Sequence, residues 1–87
     1  MASCDPFTFT FQGLVDDLIN RANDELTTAG GTLTRDSNSG SFIVPIPLVR
    51  DIKGTYFIID QEITIEIKSR PGLIGCGRIQ SEIEERL

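Results

Sequence analysis

The sequence predicts an α+β domain in the order β-α-β-β-β-β-α, an antiparallel sheet with two helices packed on one face. Three observations carry that prediction. Apolar residues alternate with polar ones at Phe7, Phe9 and Phe11 and again at Ile63, Ile65 and Ile67, the period of a half-buried strand. Leu14, Val15, Leu18, Ile19, Ala22, Leu26 and Ala29 recur at helical spacing. The strand-like segments that follow are joined by short connections, which favours a meander of four strands with the first strand beside the fifth.

Residues 1 to 6 show no periodicity and read as a disordered leader, with residues 7 to 87 as a single α+β domain. In the first strand the phenylalanines are expected to face the core and Thr8 and Thr10 to face solvent. The first helix has Asp16 and Asp17 in its opening turn, where the helix dipole favours negative charge. Gly30 and Gly31 supply the left-handed residue that ends helices. Thr32 to Arg35 is a short strand, and Asp36-Ser37-Asn38-Ser39-Gly40 is dense turn chemistry. Phe42, Val44 and Ile46 then alternate with Ser41, Ile43 and Pro45. Pro45 and Pro47 cannot donate to a sheet ladder, so that strand ends or bends there, and Leu48 to Asp51 forms a connection. Gly54 to Ile59 is a strand, Asp60-Gln61 a two-residue turn without the usual glycine, and Ile63 to Lys68 a further strand. Ser69 to Gly72 breaks it. Ile79, Ile83 and Leu87 mark a second helix, whose stripe Leu73, Ile74 and Cys76 extend backwards.

At 87 residues there is room for one core and little spare volume for a deep pocket. Eight basic residues against thirteen acidic ones give a net charge of −5, and the basic residues are scattered. A basic face for phosphates is missing, so neither nucleic acid nor a membrane surface is an expected partner. No apolar run is long enough to cross a bilayer and no basic n-region precedes an apolar one, which makes the cytoplasm the default location. There the two cysteines, Cys4 and Cys76, are expected to be reduced, with Cys76 a buried, inert thiol, and a disulfide closing the long loop between them is the minor alternative. Two isolated cysteines without histidine do not make a zinc site.

Residue types that carry chemistry are few. With no histidine, the commonest general base and the usual triads are missing, and no catalytic residue, metal ligand or cofactor is expected. Asp16-Asp17 has the dipole explanation, and Glu82, Glu84, Glu85 and Arg86 read as a solvated helix face. The most distinctive stretch is Gly72-Leu73-Ile74-Gly75-Cys76-Gly77-Arg78, between a strand and a helix and preceded by Arg70. Two readings stay open: close packing of the helix over the sheet, or an anion or ligand site using Arg70, Gly75, Gly77 and Arg78.

The strand from Gly54, the alternating strand Ile63 to Lys68, and Gly77-Arg78-Ile79 leading into Glu82-Ile83 resemble the small polyhydroxyalkanoic acid system protein family. The resemblance covers residues 54 to 87, with support from the Leu14 to Ala29 helix. The chain departs from that family in its acidic charge and its Pro45-Pro47 strand end. What the resemblance implies is a reduced helix-grip fold, in which a curved antiparallel sheet wraps a C-terminal helix as in START-like domains, and a lean toward a hydrophobic ligand or surface.

Three functional readings follow. The first is a non-catalytic binding or interaction module using a sheet edge or the helix–sheet face, as a monomer or weak homodimer with a protein partner. The second is a carrier of a small apolar ligand held between the sheet and the Leu73 to Leu87 helix. The third is an enzyme, which a charged residue pointing inward among Phe9, Phe57, Ile65 and Ile79 would mark.

Overall fold

The computed structural model describes residues 3–46 and 51–87. Met1 and Ala2 of the expected leader, Pro47, and residues 48–50 of the expected connection lie outside the described residues. The elements are β1 (Phe7–Thr10), α1 (Val15–Thr28), β2 (Thr32–Leu33), β3 (Ser39–Val44), β4 (Ile52–Ile59), β5 (Glu62–Ser69) and α2 (Cys76–Arg86). They form the expected α+β order, and the sheet runs β1-β5-β4-β3-β2 with every pairing antiparallel. The first strand does sit beside the fifth, with Phe7 opposite Ile65 and Phe9 opposite Ile63.

Alternation sets the two faces. On the inner face Tyr56 and Ile58 of β4 and Ile63, Ile65 and Ile67 of β5 are buried, and Ile67 has no exposed surface. Phe42 stands opposite Gly54, where an added Cβ would collide with the Phe42 ring. The glycine therefore makes room for the aromatic side chain in the core. The outer face carries Thr8 and Thr64, whose hydroxyls hydrogen-bond at 2.8 Å, together with Lys53 and Glu66. Phe57 belongs to this outer face too and is 47% exposed, as Ile59 is at 61%, because no helix covers that side. Phe57 is thus not among the inward residues, and among the described residues no charged side chain is buried.

α1 begins one residue later than its apolar stripe. Leu14 is the N-cap with an extended backbone and remains largely exposed. The helix ends on Gly30 at φ +83°, whose amide donates to Thr27 O while that of Gly31 donates to Leu26 O. This paired closure satisfies carbonyls that the last turn would leave bare. α2 starts at Cys76, so Leu73 lies before the helix and is 91% exposed instead of extending its apolar stripe.

Two expectations at the chain's start need correcting. Residues 3–6 are not a loose leader, because the Cys4 amide donates to Ile67 O at 3.1 Å and Cys4 is buried. Nor are the cysteines free thiols. Cys4 and Cys76 form a disulfide, with Cα atoms 5.7 Å apart. Pairing of the leading segment along β5 brings Cys4 to the start of α2, a long-range contact that sequence spacing does not reveal.

Candidate functional site

Both helices lean on the inner face of the sheet, and a groove of about 640 Å³ opens between them. Its floor is built by Phe42 and Val44 of β3, Ile52 and Tyr56 of β4, and Ile63 and Ile65 of β5. One wall is Leu18, Ile19, Ala22 and Leu26 of α1, and the other is Ile79 and Ile83 of α2. The lining is predominantly aliphatic. Helical period supplies both walls, since Ala22 and Leu26 are four apart on α1 and Ile79 and Ile83 four apart on α2. An open groove of this size is more than the little spare volume expected of so short a chain. Two short helices laid on one sheet face without packing backbone to backbone leave the space between them open.

The groove interior offers no free polar group. The Tyr56 hydroxyl donates to Thr34 O at 3.1 Å, and no buried side-chain nitrogen or oxygen among the described residues lacks a partner. Burial raises the Tyr56 phenol above its ordinary pKa, partly opposed by the positive charge of Arg35. Arg35 in turn bonds Asp16 at 2.6 Å, tying the loop after β2 to the first turn of α1.

α2 is anchored at both ends. At its start the disulfide holds Cys76. Near its end the Arg86 guanidinium donates to Glu25 of α1 at 2.9 Å and to Glu82 at 3.4 Å, and Arg21 of α1 donates to the main-chain oxygen of Leu87 at 2.7 Å. The hydrogen bonds to Glu25 and Glu82 raise the pKa of Arg86 above its ordinary value. Glu25, Glu82 and Arg86 all border the groove, so these three charges are engaged with one another at its rim.

The four residues singled out in the glycine-rich stretch are divided by the fold. Arg70 commits its donors to main-chain carbonyls, Ile74 O at 2.8 Å and Pro71 O and Ser3 O at 3.4 Å, and so braces the loop before α2. Gly75 is the N-cap of α2 with an extended backbone and no side-chain cap. An added Cβ at Gly72, Gly75 or Gly77 would meet nothing within 4 Å, so the close-packing role expected of these glycines is not what holds α2 in place. Arg78 alone of the four lines the groove. Sequence reasoning missed Ala22, Glu25 and Arg86 as groove residues. The Arg86–Glu25 bond spans 61 positions, and no local pattern encodes it.

Among the described residues no group of three or more His, Cys, Asp or Glu is placed to hold a metal ion, and no helix is long and apolar enough to cross a membrane. No protein-family model, curated protein or solved structure matches the chain.

Proposed function

We propose that this chain is a non-catalytic binding domain that holds a small apolar ligand in the groove between its two helices and the sheet. The observation that carries the reading is the groove itself. Its volume of about 640 Å³ falls within the roughly 300–1,000 Å³ typical of small-molecule sites. Its aliphatic walls suit a flexible alkyl chain better than a planar ring, because aromatic lining is limited to Phe42 and Tyr56. Each methylene buried there contributes about 0.8 kcal/mol. The absence of histidine from the sequence supports the non-catalytic part of the reading, and the resemblance to the polyhydroxyalkanoic acid system family points toward the same apolar ligand class.

The sheet-edge form of an interaction module has less support. The two edge strands, β1 and β2, are only four and two residues long, which offers a partner strand few main-chain bonds. As to location, a cytoplasmic setting would keep the Cys4–Cys76 pair under reducing pressure, and the bridged fold fits an oxidising compartment better.

Native mass spectrometry of the purified protein, with and without an added fluorescent alkyl probe, tests the reading. The expected result is added mass that disappears on denaturation, or saturable probe binding that Ala22→Trp abolishes by filling the groove from α1. A wild-type protein that binds no apolar probe, or an Ala22→Trp variant with native circular dichroism that binds as well as wild type, would overturn it.

A further inference from the structure

We infer that the groove's ligand is a single alkyl chain ending in an anionic head group, and that Arg78 is the residue that reads that head group. The inference rests on the apolar-groove reading above and adds to it the polar end of the ligand and the side chain that selects it.

A polar head cannot lie on the floor, because the Tyr56 hydroxyl is already engaged with Thr34 O and the other floor residues are apolar. A buried head group without a partner would lose its bonds to water and gain none in return. The head must therefore sit at the rim, where the charged side chains are Glu25, Arg78, Glu82 and Arg86. Arg86 bridges both carboxylates, Glu25 and Glu82, so this group of three is held together by its own ion pairs and keeps one net negative charge. Arg78 makes no ion pair among the described residues. Glu82, four residues further along α2 and the natural local partner, is turned to Arg86 instead. No acid stands in the first turn of α2, so Arg78 is without a carboxylate there too.

The rim thus presents one guanidinium without an ion pair above an aliphatic trough. A planar fork of donors matches the oxygens of a carboxylate or a phosphate, and the pairing is stronger than one to a neutral hydroxyl. A neutral alcohol would bury the same chain and leave Arg78 solvated. A cationic head would meet repulsion from Arg78 and would have to compete with Arg86 for Glu25 and Glu82.

The test compares dodecanoate, dodecyl phosphate and dodecan-1-ol, three probes with the same chain, by displacement of a fluorescent alkyl probe from the full chain. At least one anion is expected to bind about tenfold more tightly than the alcohol, a charge-assisted pair at a partly solvated rim being of that order. Whichever anion is preferred identifies the head group. Arg78→Gln should bring that anion's affinity down to that of the alcohol while leaving the alcohol unchanged, and Arg78→Lys should restore part of the preference. Arg78 is exposed, so neither substitution disturbs the core. Equal affinity for all three probes in the wild type, or an anion preference that survives Arg78→Gln, would overturn the inference while leaving an apolar groove intact. Failure of all three to bind would instead remove the apolar-groove reading on which it rests.

Discussion

Cys4 and Cys76 are 72 positions apart in the chain, and the disulfide between them fastens the segment ahead of β1 to the first residue of α2. Closing a loop of that length restricts the unfolded chain and stabilises the fold by about 4 kcal/mol in the chain-entropy account. A domain of this size has a total stability of about 4–13 kcal/mol, so the bridge is a large share of it. Reduction, or the double substitution Cys4→Ser with Cys76→Ser, should lower the melting temperature by about 15–30 °C. Thermal unfolding followed by far-ultraviolet circular dichroism with and without a dithiol reductant measures this, and coincident curves would show that the bridge does not contribute.

Tyr56 is the only tyrosine, so its ionisation can be followed without ambiguity by ultraviolet absorbance. Burial raises its pKa, and the hydroxyl donates to Thr34 O, a bond that the phenolate cannot make. With the folded value above the unfolded one, the phenol's contribution to stability is complete below the unfolded pKa of about 10. It is lost as pH rises from there through the folded value. The alkaline titration should therefore lie above that of a free tyrosine in the native protein and return to it in urea. A native titration at or below the free value would contradict this, and Tyr56→Phe should remove the corresponding alkaline loss of stability.

Isoleucines on the two faces of the sheet should differ in the cost of their substitution. Ile67 is wholly enclosed, and Ile67→Ala should destabilise by about 2–5 kcal/mol. Ile59 is 61% exposed on the outer face, and Ile59→Thr should stay within about 0.5 kcal/mol. Chemical denaturation of the two variants gives both numbers, and a large loss at Ile59 would mean that something covers the outer face in solution.

The same contrast shows what the sequence could and could not convey. The alternation of Ile63, Ile65 and Ile67, the glycine closure of α1 at Gly30 and the β2-β3-β4-β5 meander are local or nearest-neighbour properties, and local patterns predict them. Phe57 and Ile59 look like core residues because hydrophobicity alone does not say which sheet face the helices leave bare. The disulfide and the Arg86–Glu25 bond depend on contacts between distant positions. The groove has the same origin. Its walls are readable as amphipathic stripes, but its width is set by how far apart α1 and α2 lie on the sheet.

The β4–β5 turn holds Asp60 at φ +55°, in the left-handed region that L residues other than asparagine and aspartate seldom enter. Asp60→Gly removes the Cβ that makes this conformation costly, while adding backbone freedom to the unfolded chain. The first effect is the larger here, and the variant should gain up to about 1 kcal/mol in urea denaturation. Asp60→Val, branched at the same position, should lose about 1–2 kcal/mol. A Val variant as stable as the Gly variant would contradict the left-handed geometry at this site.

Arg86 links α1 to α2 through Glu25 and is shared with Glu82 four residues away on its own helix. With the Arg86 and Glu25 side chains 59% and 41% exposed, solvent screens the pair and side-chain ordering offsets much of its attraction. A double-mutant cycle between Arg86→Ala and Glu25→Gln should therefore give only a weak coupling. It should shrink toward zero in about 1 M salt, where the screening length falls to about 3 Å. Glu25→Gln alone should cost little, because Arg86 retains Glu82. A strong coupling that persists in high salt would mean that the helices close over this pair and desolvate it. The groove would then be narrower in solution than the separation of α1 and α2 makes it, and the volume available to a ligand would shrink with it.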